Sequence, residues 1–156
     1  ALRSEIGNPD RQPDAGEPRL HPTAGATAVG ARPFLVAFNV NLDTPDMGIA
    51  KAIARTIRAS GGGMPHVKAV AVDLAARGLS QVSINITDAE KAPLLAVLDR
   101  VRDEAARRGA RVLDTEIYGM VPASALLASA ASALQIAGFD QSQVLELALL
   151  DLAAGR

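Results

Sequence analysis

The sequence predicts an α+β fold: one four-stranded sheet with its helices on a single face, built in the order βαββαβ, and further helices at the C-terminus. Three observations carry that expectation. Stretches near 34–42, 67–74, 79–87 and 111–121 read as strands. Two stretches between them, one after Pro45 and one over 90–108, repeat their apolar residues at helical spacing. Glycine and proline punctuate the junctions.

Taken in order, residues 1–32 hold Pro9, Pro13, Pro18 and Pro22 and four glycines, with neither a helical nor a strand period. They read as an extended connector. From Phe34, the residues Val36, Phe38, Val40 and Leu42 alternate with Leu35, Ala37, Asn39 and Asn41, which is a strand. Pro45 starts the first helix, where Ile49, Ile53 and Ile57 form a stripe opposite Lys51, Arg55 and Arg58. The run Ser60 to Gly63 ends that helix, and Pro65 prevents its resumption. A turn at Arg77 and Gly78 joins strands two and three. The second helix buries Leu94, Val97, Leu98, Val101 and Ala105, and Gly109 stops it. Pro122 opens an alanine-rich helix containing Leu126, Leu127 and Leu134, which reads as a core or dimer contact. Asp140 and Gln143 resemble a capping box for the last helix. This order is the split βαβ, or ferredoxin-like, pattern, and right-handed crossovers put both of its helices on the same face.

Composition narrows the function. The 156-residue chain has the length of one domain and a formal net charge of -1. That charge gives no support for non-specific binding to nucleic acid or to an anionic membrane. Four aromatic side chains, Phe34, Phe38, Tyr118 and Phe139, make a poor stacking platform. The absence of cysteine excludes disulfides, thiolate metal sites and cysteine nucleophiles. No apolar run is long enough for a membrane span, and a polar, proline-rich N-terminus is unlike a signal peptide, so a cytoplasmic location is the expectation. The chain opens at Ala1 inside a connector, which reads as the start of a fragment.

The sheet face turned away from the helices is the informative one. In strand three, Gln81, Ser83, Asn85 and Thr87 alternate with Val82, Ile84 and Ile86. Strand one places Asn39 and Asn41 likewise, and one phase of strand four adds Asp114, Glu116 and Tyr118. Such a face is either wet or the wall of a cleft closed by another sheet. Asparagine is depleted in strands, and an amide both donates and accepts, which favours recognition. The other constellations are weaker. His21 and His66 lie in loops 45 residues apart with no carboxylate motif between them, so no metal site is expected. No Gly-x-Ser-x-Gly elbow occurs. Gly61–Gly63 is either a helix terminator or an anion-binding nest.

Four stretches, His21 to Arg32, Phe34 to Leu42, Gly78 to Ile86 and Glu116 to Pro122, resemble the formiminotransferase family in order and spacing. The resemblance spans residues 10 to 127. It implies two ferredoxin-like subdomains with facing sheets, a folate in the tunnel between them, and transfer of a formimidoyl group between 5-formimidoyltetrahydrofolate and L-glutamate in histidine degradation. On that footing residues 33–156 are the C-terminal subdomain and 1–32 a connector ending the N-terminal one. The expected cofactor is tetrahydrofolate, as its 5-formimidoyl or 5-formyl derivative, with no metal.

The family's folate-binding segment falls on Gly16, Glu17, Pro18, Arg19, Leu20, His21, Pro22, Thr23, Ala24 and Gly25. Strand parity, rather than the resemblance, assigns Asn39, Asn41, Gln81, Ser83 and Asn85 to the tunnel wall. The family's catalytic histidine, a general acid/base, belongs to the N-terminal subdomain, so neither His21 nor His66 inherits it and no catalytic residue is expected in this chain. The Lys51, Arg55 and Arg58 stripe is a solvated face or steers a polyglutamate tail. Expected partners are folate, L-glutamate, an N-terminal subdomain and a second copy in a homodimer, with neither nucleic acid nor membrane. The alternative is a non-catalytic folate-binding or dimerisation module. What is encoded upstream of Ala1 discriminates the two.

Overall fold

The computed structural model describes residues 8, 10 and 12–155 and divides into two units, Ala1–Ala31 and Arg32–Arg156. In the first, His21 and Gly25 exchange backbone hydrogen bonds of 3.1 and 3.0 Å around a tight loop. Gly25 closes that loop at φ 71°, a backbone region that favours glycine.

The second unit runs β1 (Val36–Leu42), α1 (Met47–Ile57), β2 (Val67–Leu74), β3 (Leu79–Ile86), α2 (Leu94–Ala106), β4 (Val112–Tyr118), α3 (Ala123–Ala133) and α4 (Leu145–Ala153). The sheet order is β2-β3-β1-β4, and every neighbouring pair is antiparallel. This is the βαββαβ, ferredoxin-like α+β architecture. Strand parity builds its core. Val36, Val40 and Leu42 from β1, Val82, Ile84 and Ile86 from β3, and Val67 from β2 are fully or almost fully buried against Ile53 and Ile57 of α1 and Val97 and Val101 of α2. Each such side chain contributes about 1.5–3 kcal/mol by leaving water.

Local chemistry sets the boundaries. Asp46 caps α1, its Oδ1 accepting from the Gly48 N–H at 2.7 Å. The chain then turns back so closely that a Cβ on Gly61 would lie 2.2 Å from the Arg55 carbonyl oxygen, and one on Gly63 2.3 Å from that of Thr56. Gly61–Gly63 is therefore the terminator that lets β2 begin. Helix α2 starts at Leu94 rather than near residue 90, because Pro93 biases Ala92 away from helical backbone and Asp88 collects the N–H groups of Glu90 and Lys91 in a turn. The Asp140–Gln143 capping box forms, but it closes a separate 3-10 turn and α4 follows only after Val144. The alanine-rich α3 is not core: only Ala125 is buried, while Leu126 is 45% exposed and Leu134, the residue that caps the helix, 71%. No helix among the described residues is long and apolar enough to cross a membrane.

Two further features matter below. Between Asn41 and Leu42 the register with β4 shifts: Asn41 faces Asp114 but Leu42 faces Val112. Leu113 is the extra residue of this bulge and is 56% exposed. Glu104, on the buried side of α2, is 3% exposed. It pairs with Arg108 at 2.5 Å, Arg107 at 2.8 Å and Arg100 at 3.3 Å.

Candidate functional site

The face of the sheet away from α1 and α2 is ordered in three rows, because residues opposite one another in antiparallel strands share a face. The first row reads Val72, Gln81, Asn41, Asp114; the second, Val70, Ser83, Asn39, Glu116; the third, Lys68, Asn85, Ala37, Tyr118. The five amides and hydroxyls expected from parity thus lie on one face, and β4 adds Asp114, Glu116 and Tyr118.

A hydrogen-bond network ties rows one and two together. Asn41 Nδ2 donates to Asp114 Oδ1 at 2.6 Å and to Glu116 Oε1 at 3.2 Å. Gln81 Nε2 donates to Asn41 Oδ1 at 2.8 Å and to Glu116 Oε2 at 3.3 Å. The Tyr118 hydroxyl donates to Glu116 Oε2 at 3.2 Å. Asn41 has no exposed surface and Gln81 only 7%, so their amides serve chiefly to orient two carboxylates. Asn39 is 8% exposed, and its side chain has no hydrogen-bond partner. Ser83 is half-buried, and Asn85 is exposed at the β2 side. Chemically the face can hold a polar, nitrogen-bearing molecule: it offers carboxylate acceptors on one side of Asn39 and a hydroxyl on the other.

The connector segment is described by itself. Gly16, at φ 92°, Pro18, Pro22, Thr23 and Ala24 are exposed, and Leu20 is half-buried. Glu17 and Arg19 form an ion pair. His21 Nδ1 accepts the N–H groups of Thr23 and Ala24 at 3.3 and 3.1 Å. Two donors on Nδ1 leave the ring proton on Nε2, which fixes His21 as a hydrogen-bond donor at that nitrogen. His66 adopts φ 63°, and its carbonyl accepts from the Thr87 N–H and hydroxyl.

A cavity of about 510 Å³ opens elsewhere, beside Phe34, Ala89, Pro93, Pro122, Ala125 and Ala128. None of its lining residues belongs to the three rows. Asp88, at its rim, is committed to Lys91 and to the turn before α2; that hydrogen bond from Lys91 is the main reason its carboxyl titrates below the ordinary range. The convergent polar chemistry is on the sheet, and we place the candidate site there.

Fold and face together define a ferredoxin-like domain with an amide–carboxylate wall on the side its helices leave free. The profile of the formiminotransferase domain matches residues 37–152. The chain is 48% identical over 142 residues to the glutamate formimidoyltransferase of Streptococcus pyogenes serotype M1, covering 90% of this chain and 48% of that protein. It is 43% identical over 145 residues to that of Thermoplasma acidophilum, covering 93% and 48%. To the formimidoyltransferase-cyclodeaminase of Gallus gallus it is 35% identical over 136 residues, covering 83% and 25%. The chain belongs to the formiminotransferase family. It spans about half the length of the first two relatives.

Proposed function

We propose that this chain is the C-terminal, folate-binding half of a glutamate formimidoyltransferase. It acts with an N-terminal subdomain to move a formimidoyl group between 5-formimidoyltetrahydrofolate and L-glutamate in histidine degradation. The observation that carries this reading is the Gln81–Asn41–Glu116–Asp114 network on the helix-free face of a chain from this family. A second sheet laid over that face would make it a tunnel wall. Residues 16–25 contribute the folate contacts, with the His21–Gly25 loop presenting backbone and Nε2–H donors.

In the transfer, the amine of glutamate attacks the formimidoyl carbon, a tetrahedral intermediate forms, and the bond from that carbon to folate N5 breaks; the reverse direction retraces these steps. Proton transfers fall to the histidine of the N-terminal subdomain. This chain's share is to bind and orient, which raises the effective concentration of the reacting groups. A cytoplasmic location and a transfer without a metal belong to the same proposal.

The test is titration calorimetry of the chain with 5-formyltetrahydrofolate, followed by a transferase assay with and without the N-terminal subdomain of the Streptococcus relative. Binding by the chain alone, and transfer only in the mixture, is the expected result. Absence of both would leave the second reading, a non-catalytic dimerisation module. That reading draws on the exposed leucines of α3 and α4, Leu126, Leu145 and Leu152 among them.

A further inference from the structure

The carboxylates of the sheet face carry the argument one step further, and the step rests on the formimidoyl-transfer reading. We propose that Asp114, Glu116 and Asn39 form a subsite for a cationic nitrogen at the reacting end of the substrate. Two groups present that chemistry: the amidinium of a formimidoyl group and the α-ammonium of glutamate.

The first reason is charge. A single amide nitrogen, Asn41 Nδ2, bonds to one oxygen of each carboxylate, so two negative charges are held one amide apart. The amide orients them without neutralising them. Lys68 is the one cationic side chain of the three rows among the described residues, and it belongs to the opposite edge strand. Three strand spacings, about 14 Å, separate β2 from β4, beyond the screening length of physiological salt.

The second reason is independent of charge. Asn39 lies in register between Ser83 and Glu116, is 8% exposed, and its side chain makes no hydrogen bond. Neither of its amide atoms is sealed from solvent, so a polar group laid on this face would replace water on them. That open amide lies on the same face as the carboxylates. The Asn39 carbonyl and the free Oδ2 of Asp114 add two acceptors to those already oriented. A nitrogen cation is satisfied by two or three acceptors, whereas Ca²⁺ requires six to eight oxygens. Amide and phenol donors already occupy three of the lone-pair positions of Glu116, which favours the nitrogen.

The experiment is calorimetry on this chain with N-formimidoyl-L-glutamate, L-glutamate, N-formyl-L-glutamate, an isostere whose nitrogen carries no charge, and 5-formyltetrahydrofolate. The expected result is a preference of about tenfold or more for a cationic ligand over N-formyl-L-glutamate, the size that losing one charge-assisted hydrogen bond produces. Glu116→Gln and Asp114→Asn should each erase most of that preference, and Asn39→Ala should weaken the cationic ligand alone. A preference confined to N-formimidoyl-L-glutamate assigns the subsite to the amidinium; one confined to L-glutamate assigns it to the ammonium. Should Glu116→Gln fail to fold, Asp114→Asn reads the same quantity from an exposed side chain. Binding of 5-formyltetrahydrofolate without any cation preference, or a preference that survives both substitutions, overturns the subsite and leaves the functional reading standing. Failure to bind all four ligands overturns both.

Discussion

Replacing Glu104 with glutamine keeps the shape of a buried side chain and removes the charge that three arginines share. The magnitude follows from their exposure. Arg108 is 28% exposed and makes the shortest contact, with its Nη1 also donating to the Glu104 carbonyl at 2.7 Å. One charge-assisted bond of this kind contributes about 1.5–3 kcal/mol. Arg100 and Arg107 are 41% and 63% exposed, so solvent screening limits each to well under about 1 kcal/mol. Glutamine retains part of the hydrogen bonding. A net loss of about 2 kcal/mol is expected, or roughly 6 °C in Tm for a domain of this size. The pH dependence sharpens the test. The Arg108 hydrogen bond, followed by the nearby charges of Arg108, Arg100 and Arg107, outweighs burial and holds the Glu104 carboxyl below its ordinary value of 4.5. A depressed carboxylate stabilises the fold above its unfolded value and loses that contribution as pH falls through its folded value. Urea titrations of both proteins should therefore differ by a constant amount above pH 4.5 and converge below it. Equal stability at pH 7, or a difference that persists unchanged to the acid limit of folding, would refute the reasoning.

Other substitutions probe other links. Gly63→Ala drives a Cβ into the Thr56 and Ile57 backbone at 2.3–2.5 Å, and thermal melting should show a larger loss than for Gly62→Ala. Gly62 meets nothing within 4 Å, so its variant bears only the left-handed backbone cost of about 1–2 kcal/mol. Asn41→Asp places a third carboxylate, fully buried, beside Asp114 and Glu116. It should cost about 3 kcal/mol or more near neutrality by denaturant titration. His21→Ala removes the acceptor that organises the 21–25 loop. Calorimetry should show weaker binding of 5-formyltetrahydrofolate, with the melting temperature of the sheet domain unchanged.

The fold was legible in the sequence because its two crossovers and their punctuation are local. Ile53 and Ile57 mark the buried side of α1, and Val82, Ile84 and Ile86 that of β3, within a few residues of one another. What escaped depends on residues distant in sequence. Asn39 and Asn41 have the same local signature, yet one is bonded on both atoms of its amide and the other on neither, because Gln81 and Asp114 lie beside Asn41 and not beside Asn39. Glu104 is, within its own helix, one more charged residue on an amphipathic stretch. Its signal was present as arginines at four residues before and three and four after, a spacing that surrounds one carboxylate. The phase of β4 was ambiguous for a specific reason: its alternation changes sense at the bulge, with Val112 inward before it and Asp114, Glu116 and Tyr118 on the polar face after it. Pro93 delayed α2 through the residue before it, which apolar periodicity alone does not register.

That bulge divides β4 into two regions with opposite tolerance for a change of length. Losing Leu113 would restore plain alternation from Val112 to Asp114, leaving the carboxylates beside Asn41 and the valine inward. Losing one residue between Thr115 and Tyr118 would instead turn part of the polar face toward the core. A deletion at the start of the strand therefore leaves the wall undisturbed, whereas a few positions further on the chain length is fixed by the chemistry it carries.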